Sequence, residues 1–285
     1  MLLVTACSTA PGQGGTSTTP TTATPTHTTT PSPALTSIEQ AIADRRRLEA
    51  PDPDALATRI ESVEHALRSA ATPAADIARL GELESASYIQ LVERPSWRAS
   101  VLAELSAAAR DIAQANLSAA IDIDMLNKPV DTLPHWRVDE PLAATQLLSY
   151  YRLAQQTYGV PWQYLAAINL VETNMGRIHG LSSAGAQGPM QFLPATWSEY
   201  GEGGDIDNPA DAIPAAARYL KAHGAPGDMQ RAVYAYNPTD LYVRAVTAYA
   251  TQMQQSVNAF YGYDAWPVYV STTKGYALLP VGFSN

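Results

Sequence analysis

The sequence predicts a mainly α-helical protein whose folded body follows a long uncharged lead. Three observations predict it. Residues 8–33 hold no Asp, Glu, Lys or Arg and are mostly Thr, Pro, Ser, Ala and Gly, a composition too poor in large apolar side chains to bury a core. Ala-rich amphipathic patterns then run through 38–50, 53–70, 74–93 and 96–121, with apolar residues at helical spacing. Helical patterning resumes at Pro161, and only 261–285 reads otherwise: Trp266-Pro267-Val268-Tyr269-Val270 and Tyr276-Ala277-Leu278-Leu279-Pro280 flank Lys274-Gly275. Two short apolar runs around a glycine predict a β-hairpin, expected to close over the helices that follow Pro161.

The first seven residues, MLLVTAC, end on Cys7, the sole cysteine. Val4-Thr5-Ala6-Cys7 resembles a bacterial lipobox, an apolar residue and two small ones before a cysteine that becomes lipidated. The basic and long apolar parts of a signal peptide are nearly missing, so the expectation is a remnant signal in 1–7, a true start upstream of Met1, and a membrane anchor at Cys7. A single cysteine excludes an intrachain disulfide. As a tether, 8–33 would span roughly 30 Å if flexible and about 80 Å if polyproline-like. No later apolar run approaches the length of a membrane-crossing helix.

The patterns in 34–130 read as an all-helical arm, packed on or hinged to a second unit at 131–285. The stretch 131–139, with Leu133-Pro134-His135-Trp136, is the expected joint, where Trp136 packs. Arg45-Arg46-Arg47 reads as a solvated helix face. The net charge of −9 argues against nucleic acid as a partner. It also gives no help in holding anionic polymers, so selectivity must come from a groove.

Residues 161–200 carry the chemistry. Pro161 suits a helix start, and Leu165, Ile168, Asn169 and Glu172 follow at helical spacing, which sets a carboxylate on the apolar face. Burial there penalises the charged form and raises the pKa, as a general acid requires. Pairing with Arg177 is the structural alternative, and spacing alone leaves both open. Next come Ser182-Ser183-Ala184-Gly185-Ala186-Gln187-Gly188, small and glycine-rich, so that the backbone can approach a ligand. Met190 offers a soft contact and Gln191 an amide that donates and accepts. Trp197, after Pro194, reads as core packing at the entry of a further helix.

Glu172, Gly176-Arg177, Ser183-x-Gly185-Ala186-x-Gly188-x-Met190-Gln191, Pro194-x-Thr196-Trp197 and Ala235-Tyr236-Asn237 together resemble the lytic murein transglycosylases of the lysozyme-like superfamily, over roughly 141–253. The wording is similar to the actinobacterial secreted branch. The resemblance implies a goose-type lysozyme-like catalytic domain and peptidoglycan glycan strands as substrate. It implies Glu172 as the lone acid, protonating the oxygen between N-acetylmuramic acid and N-acetylglucosamine. Glu172 would then serve as base on the muramyl 6-hydroxyl to leave a 1,6-anhydro end, with the substrate's N-acetyl group steadying the oxocarbenium-like state. Ser183, Gly185, Met190 and Gln191 would line subsites. Tyr236 would orient or hydrogen-bond the acid, and Asn237 would support the same wall. No cofactor or metal is implied. Two departures stand out: Pro238-Thr239-Asp240 follows the Ala-Tyr-Asn triplet where glycine is usual, and Pro189 replaces a common leucine.

Ordinary glycosidases use two carboxyl groups. Here Glu199, Glu202, Asp205, Asp207 and Asp211 are the nearest candidates. Asp207 and Asp211 read as turn and cap residues before a helix over 212–220, and Asp240 as a cap for the helix through Tyr242 and Val246. A hydrolytic muramidase drawing on the 205–211 carboxylates is the alternative of the same class. A catalytically silent peptidoglycan-binding scaffold, whose arm docks a cell-wall protein partner, is the alternative of a different class. The primary expectation is an extracytoplasmic, lipid-anchored enzyme at the cell surface.

Overall fold

The computed structural model describes residues 37–285; Cys7 and the 8–33 tether lie outside the described residues. Helix α1 (Ile38–Arg46) starts at Ser37, whose side chain accepts from the Gln40 N–H. Helix α2 (Pro53–Arg68) has Asp52 as its cap and Pro53 in its first turn, where the missing proline N–H costs nothing. Helix α3 (Ala74–Glu93) matches its expected span. The fourth pattern is broken. A short 3-10 turn, Pro95–Trp97, leads into α4 (Arg98–Glu104), and α5 (Ala107–Leu126) begins afresh after Ser106. Ser106 caps α5 by accepting from Ala109 N–H, and its own N–H and hydroxyl both donate to Glu61. A serine that caps a new helix competes with continuation of the old one, which periodicity alone does not register.

Beyond strand β1 (Arg137–Val138) come α6 (Ala144–Tyr158), α7 (Trp162–Thr173), β2 (Ile178–His179), α8 (Pro194–Tyr200), α9 (Pro209–Ala222), α10 (Met229–Tyr236), α11 (Asp240–Gln255) and α12 (Val257–Asp264). Strands β3 (Val268–Thr272) and β4 (Gly275–Leu279) form the antiparallel C-terminal hairpin in the register Val268↔Leu279 to Thr272↔Gly275. β1 pairs antiparallel with β2, Arg137 opposite His179.

One apolar core runs from the N-terminal helices into α6–α12, with Leu56, Leu91 and Leu117 in the same cluster as Leu165, Ile168 and Val246. α5 packs along α11 and α12 against α3. A buried polar cluster pins this seam. Arg68 pairs with Glu64 at 2.5 Å and Glu84 at 3.3 Å, Trp266 Nε1 donates to Glu84 at 2.8 Å, and the Tyr263 hydroxyl donates to Asn116 at 2.6 Å. Burial and the neighbouring Glu64 charge push Glu84 up to about 8. One guanidinium serves two buried carboxyls, and a proton on Glu84 relieves their repulsion. The arm is thereby packed on the rest of the molecule.

Four further expectations change. The hairpin does not close over the catalytic-side helices: Val268, Val270, Ala277 and Leu279 form a second core with Ala41 and Ile42 of α1 and with Trp136, Val138 and Ile178. Tyr269 and Tyr276 on its other face reach the main core. The arginine run is not a uniformly solvated face, because Arg45 is buried and pairs with Glu49 at 2.7 Å and with Glu93. Thr239, not Asp240, caps α11, and Asn208 caps α9, which therefore starts at Pro209 rather than at 212. Trp136 packs at the joint as expected, against Gly180.

Candidate active site

Helix α7 is mostly apolar and buried almost throughout, as befits a central helix. It delivers Glu172 into the interior with 3 % of its surface exposed. The chain then passes through three successive left-handed residues, Asn174 (φ 54°), Met175 (φ 62°) and Gly176 (φ 85°). Two of these are not glycine, a conformation that costs of order 1 kcal/mol each. Local capping bonds and one tertiary bond hold it in place: Met175 N–H donates to the Asn169 carbonyl at 3.2 Å, Gly176 N–H to the Thr173 hydroxyl at 3.1 Å, and Asn174 Nδ2 to the Trp266 carbonyl at 2.7 Å.

The turn 188–191 is clamped to α7 from below. The Pro189 carbonyl accepts from Asn169 Nδ2 at 2.7 Å and from the Thr173 hydroxyl at 2.6 Å. Asn169 is held in turn by the Tyr151 hydroxyl at 2.5 Å. Gln191 adopts φ 51°, a further non-glycine residue in the left-handed region. Gly188 has φ +72°, and a Cβ there would lie 2.0 Å from the Ile206 carbonyl oxygen. Only glycine lets the turn lie against the 205–207 segment.

The Tyr242 hydroxyl on α11 donates to Glu172 Oε1 at 2.6 Å. Burial pushes the Glu172 carboxyl up to about 8, a rise that the Tyr242 hydrogen bond partly offsets. Glu172 therefore holds a proton near neutral pH, the state a general acid needs. Arg177 does not pair with it: its Nη1 donates to the Asn174 carbonyl at 3.3 Å, and the charges that act on it are Asp264 and Glu140. The salt-bridged alternative for Glu172 is absent from the structure.

The hydroxyl bound to Glu172 is thus Tyr242's, where the resemblance points to Tyr236. Tyr236 closes α10 and donates to the Met190 carbonyl at 2.6 Å, near enough to Glu172 for that charge to raise its own pKa. Met190 is wholly buried; its side chain is core and its carbonyl anchors Tyr236. Gln191 and Asn237 are 4 % and 2 % exposed. Gln191 Nε2 donates to the Gly188 carbonyl at 3.0 Å, whereas Gln191 Oε1 and Asn237 Nδ2 are buried without a hydrogen-bond partner. Each such orphan costs roughly 1–3 kcal/mol unless something satisfies it. Ser183 and Gly185 lie on the more open 182–186 loop, which Ser182 organises by accepting from Ala184 and Ala186 N–H. Trp197 packs edge-on against Phe192 at 5.5 Å, as expected.

Three of the other carboxylates serve structure, whereas the Asp207 side chain makes no hydrogen bond among the described residues. Asp211 Oδ2 accepts from Asp205 N–H and Asn208 Nδ2, Asp205 Oδ1 accepts from Asp207 N–H, and Glu202 pairs with Arg218 at 3.0 Å. Asn169, Thr173 and Tyr242 were not singled out as site-builders from the sequence. Asn169 had a signal, a polar side chain on an apolar face. Tyr242 had none beyond the rule that a buried phenol finds a partner.

A buried carboxyl whose pKa burial raises, bonded to a tyrosine, thus ends a central helix of a mainly helical domain. Residues 149–258 match the Transglycosylase SLT domain, which spans Glu172, the 182–191 loop, Tyr236 and Tyr242. That match supports a lytic transglycosylase acting on peptidoglycan. Comparison with curated proteins and with solved structures finds no match.

Proposed function

We propose that this protein cleaves the β-1,4 bond between N-acetylmuramic acid and N-acetylglucosamine in peptidoglycan without water, with Glu172 as the sole acid and base. The observation that carries the proposal is Glu172 itself: buried, raised to about 8, and bonded to Tyr242. Protonated, it gives its proton to the leaving glycosidic oxygen. The desolvated carboxylate that remains is a strong base for the muramyl 6-hydroxyl, whose oxygen closes on the anomeric carbon to leave a 1,6-anhydro end. Holding a charge in that apolar setting is costly, so returning the proton to Glu172 is favourable.

Asp205, Asp211 and Glu202 are engaged in the bonds above, which leaves Asp207 as the carboxylate of that segment for the hydrolytic two-carboxylate alternative. Gln191 Oε1 and Asn237 Nδ2 are an acceptor and a donor left over for a sugar's acetamido and hydroxyl groups, and Ser183 and Gly185 lie on the more open 182–186 loop. The setting is extracytoplasmic, with Cys7 as lipid anchor. No helix among the described residues is long and apolar enough to cross a membrane.

Mass spectrometry of muropeptides released by the full chain tests this, with Glu172→Gln in parallel. Anhydro-muramyl ends that vanish in the variant support the reading. Reducing muramyl ends would overturn the water-free route, and activity in the variant would overturn the acid.

A further inference from the structure

A cleft of about 690 Å³ lies beside the acid site, between the 137–142 segment, β2 with the residues around it, and the 187–189 side of the strained turn. Its volume is that of a small-ligand site, and Glu172 does not line it. The wall is shared: Gly188 and Pro189 face the cleft, while Met190 and Gln191 continue the same turn toward Tyr236 and the acid.

Its chemistry is unlike that of a sugar platform. No Trp, Tyr or Phe lines it, so it lacks the flat apolar faces on which pyranose rings stack. Charges of both signs and two exposed leucines are there instead. Arg137 spends only Nε on Asp139, at 2.6 Å, leaving both Nη groups of an exposed guanidinium for a ligand carboxylate. His179 stands 3.5 Å from the same Asp139 oxygen. Glu140 and Asp207 bring carboxylates to the lining with no hydrogen bond on their own side-chain oxygens among the described residues. Leu142 is 36 % and Leu181 63 % exposed at the rim, where they offer apolar contact to short aliphatic groups. A ligand that fits carries a carboxylate, an amine and short aliphatic groups within one compact chain.

We propose that this cleft binds the peptide stem borne by the muramyl residue of peptidoglycan, with its carboxylate on Arg137 and His179 and its free amine toward Glu140 and Asp207. The inference rests on the peptidoglycan reading above. It deepens that reading: the enzyme selects peptide-bearing strands, and the stem helps seat the bond at Glu172.

Two measurements on the full chain test it. Calorimetry follows binding of a sugar-free stem tetrapeptide containing a diamino acid to the wild type and to Arg137→Ala/His179→Ala. Both residues are part-exposed and their pairs with Asp139 lie at the surface, so the fold tolerates their removal. Turnover is then compared on intact glycan strands and on strands stripped of peptide by an amidase. We expect saturable peptide binding that weakens at least tenfold in the double variant. We also expect kcat/KM to be roughly tenfold or more higher on intact strands, a preference the variant loses while keeping its rate on stripped strands. Equal turnover of both strand types, or peptide binding indifferent to the two substitutions, overturns the cleft assignment and leaves the glycan reading standing. Peptide binding with no cleavage of either strand overturns the glycan reading and keeps the cleft as a peptide site.

Discussion

Replacing Glu172 by glutamine keeps the shape of the side chain and the carbonyl that accepts from Tyr242, but removes the proton that can leave. The structure makes a stability prediction as well as an activity one. Burial raises the carboxyl from 4.5 to about 8, so between those values the folded protein holds a proton that the unfolded chain has released. A raised carboxyl pKa means that stability falls as pH climbs through this window, and the full penalty is reached above about pH 8. At about 1.4 kcal/mol per pKa unit, the penalty is on the order of 5 kcal/mol at high pH and about 3 kcal/mol at pH 7. Glutamine escapes it. Urea unfolding of both proteins from about pH 4 to pH 9 should therefore show the variant no more stable at the acid end and progressively more stable toward the alkaline end. The pH dependence of the buried Glu64–Glu84 pair is common to both proteins and cancels in the difference. Muropeptide release should be abolished throughout. A flat difference across the range would mean that Glu172 is not held protonated, and the physical basis for calling it the acid would be gone.

Tyr242→Phe removes the hydrogen bond that lowers the Glu172 pKa, so the alkaline limb of the rate profile should move to higher pH and the rate fall by roughly one to two orders of magnitude as the acid loses its orientation; an unmoved limb would argue against the Tyr242–Glu172 bond. Tyr236→Phe frees the Met190 carbonyl, and should cost about 1 kcal/mol of stability with a smaller loss of turnover than Tyr242→Phe; an unchanged rate removes Tyr236 from the support of the site. Gly188→Ala drives a methyl into the Ile206 carbonyl at a left-handed position, and should destabilise by roughly 3 kcal/mol through forced backbone movement; thermal unfolding near the wild-type Tm would refute that close approach.

Patterns that repeat within a few residues were legible in the chain. Helical spacing gave α2 and α3 nearly to the residue, and two apolar runs around Lys274-Gly275 gave the hairpin. Glu172, on the apolar face of its own helix, was recognisable as a carboxyl that burial would raise. Capping was read less well, because Ser37, Ser106, Asn208 and Thr239 act through one side-chain bond that leaves no periodic trace. Packing partners were not legible. The hairpin's apolar residues say that it must cover something, and only the fold decides that this is α1 and the β1–β2 pair. Tyr236 and Tyr242 are both tyrosines close to the Ala-Tyr-Asn triplet, and nothing local says which hydroxyl meets an oxygen seventy residues away. The orphaned amide atoms of Gln191 and Asn237, the clamp of Asn169 and Thr173 on Pro189, and the mixed-charge cleft beyond Gly188 all arise where distant segments converge. Composition and periodicity reflect each segment's own preference for helix, strand or solvent, so they reach the kind of fold and a carboxyl on an apolar helix face. Which polar atom faces which is set by long-range approach, and that information exists only once the core has closed.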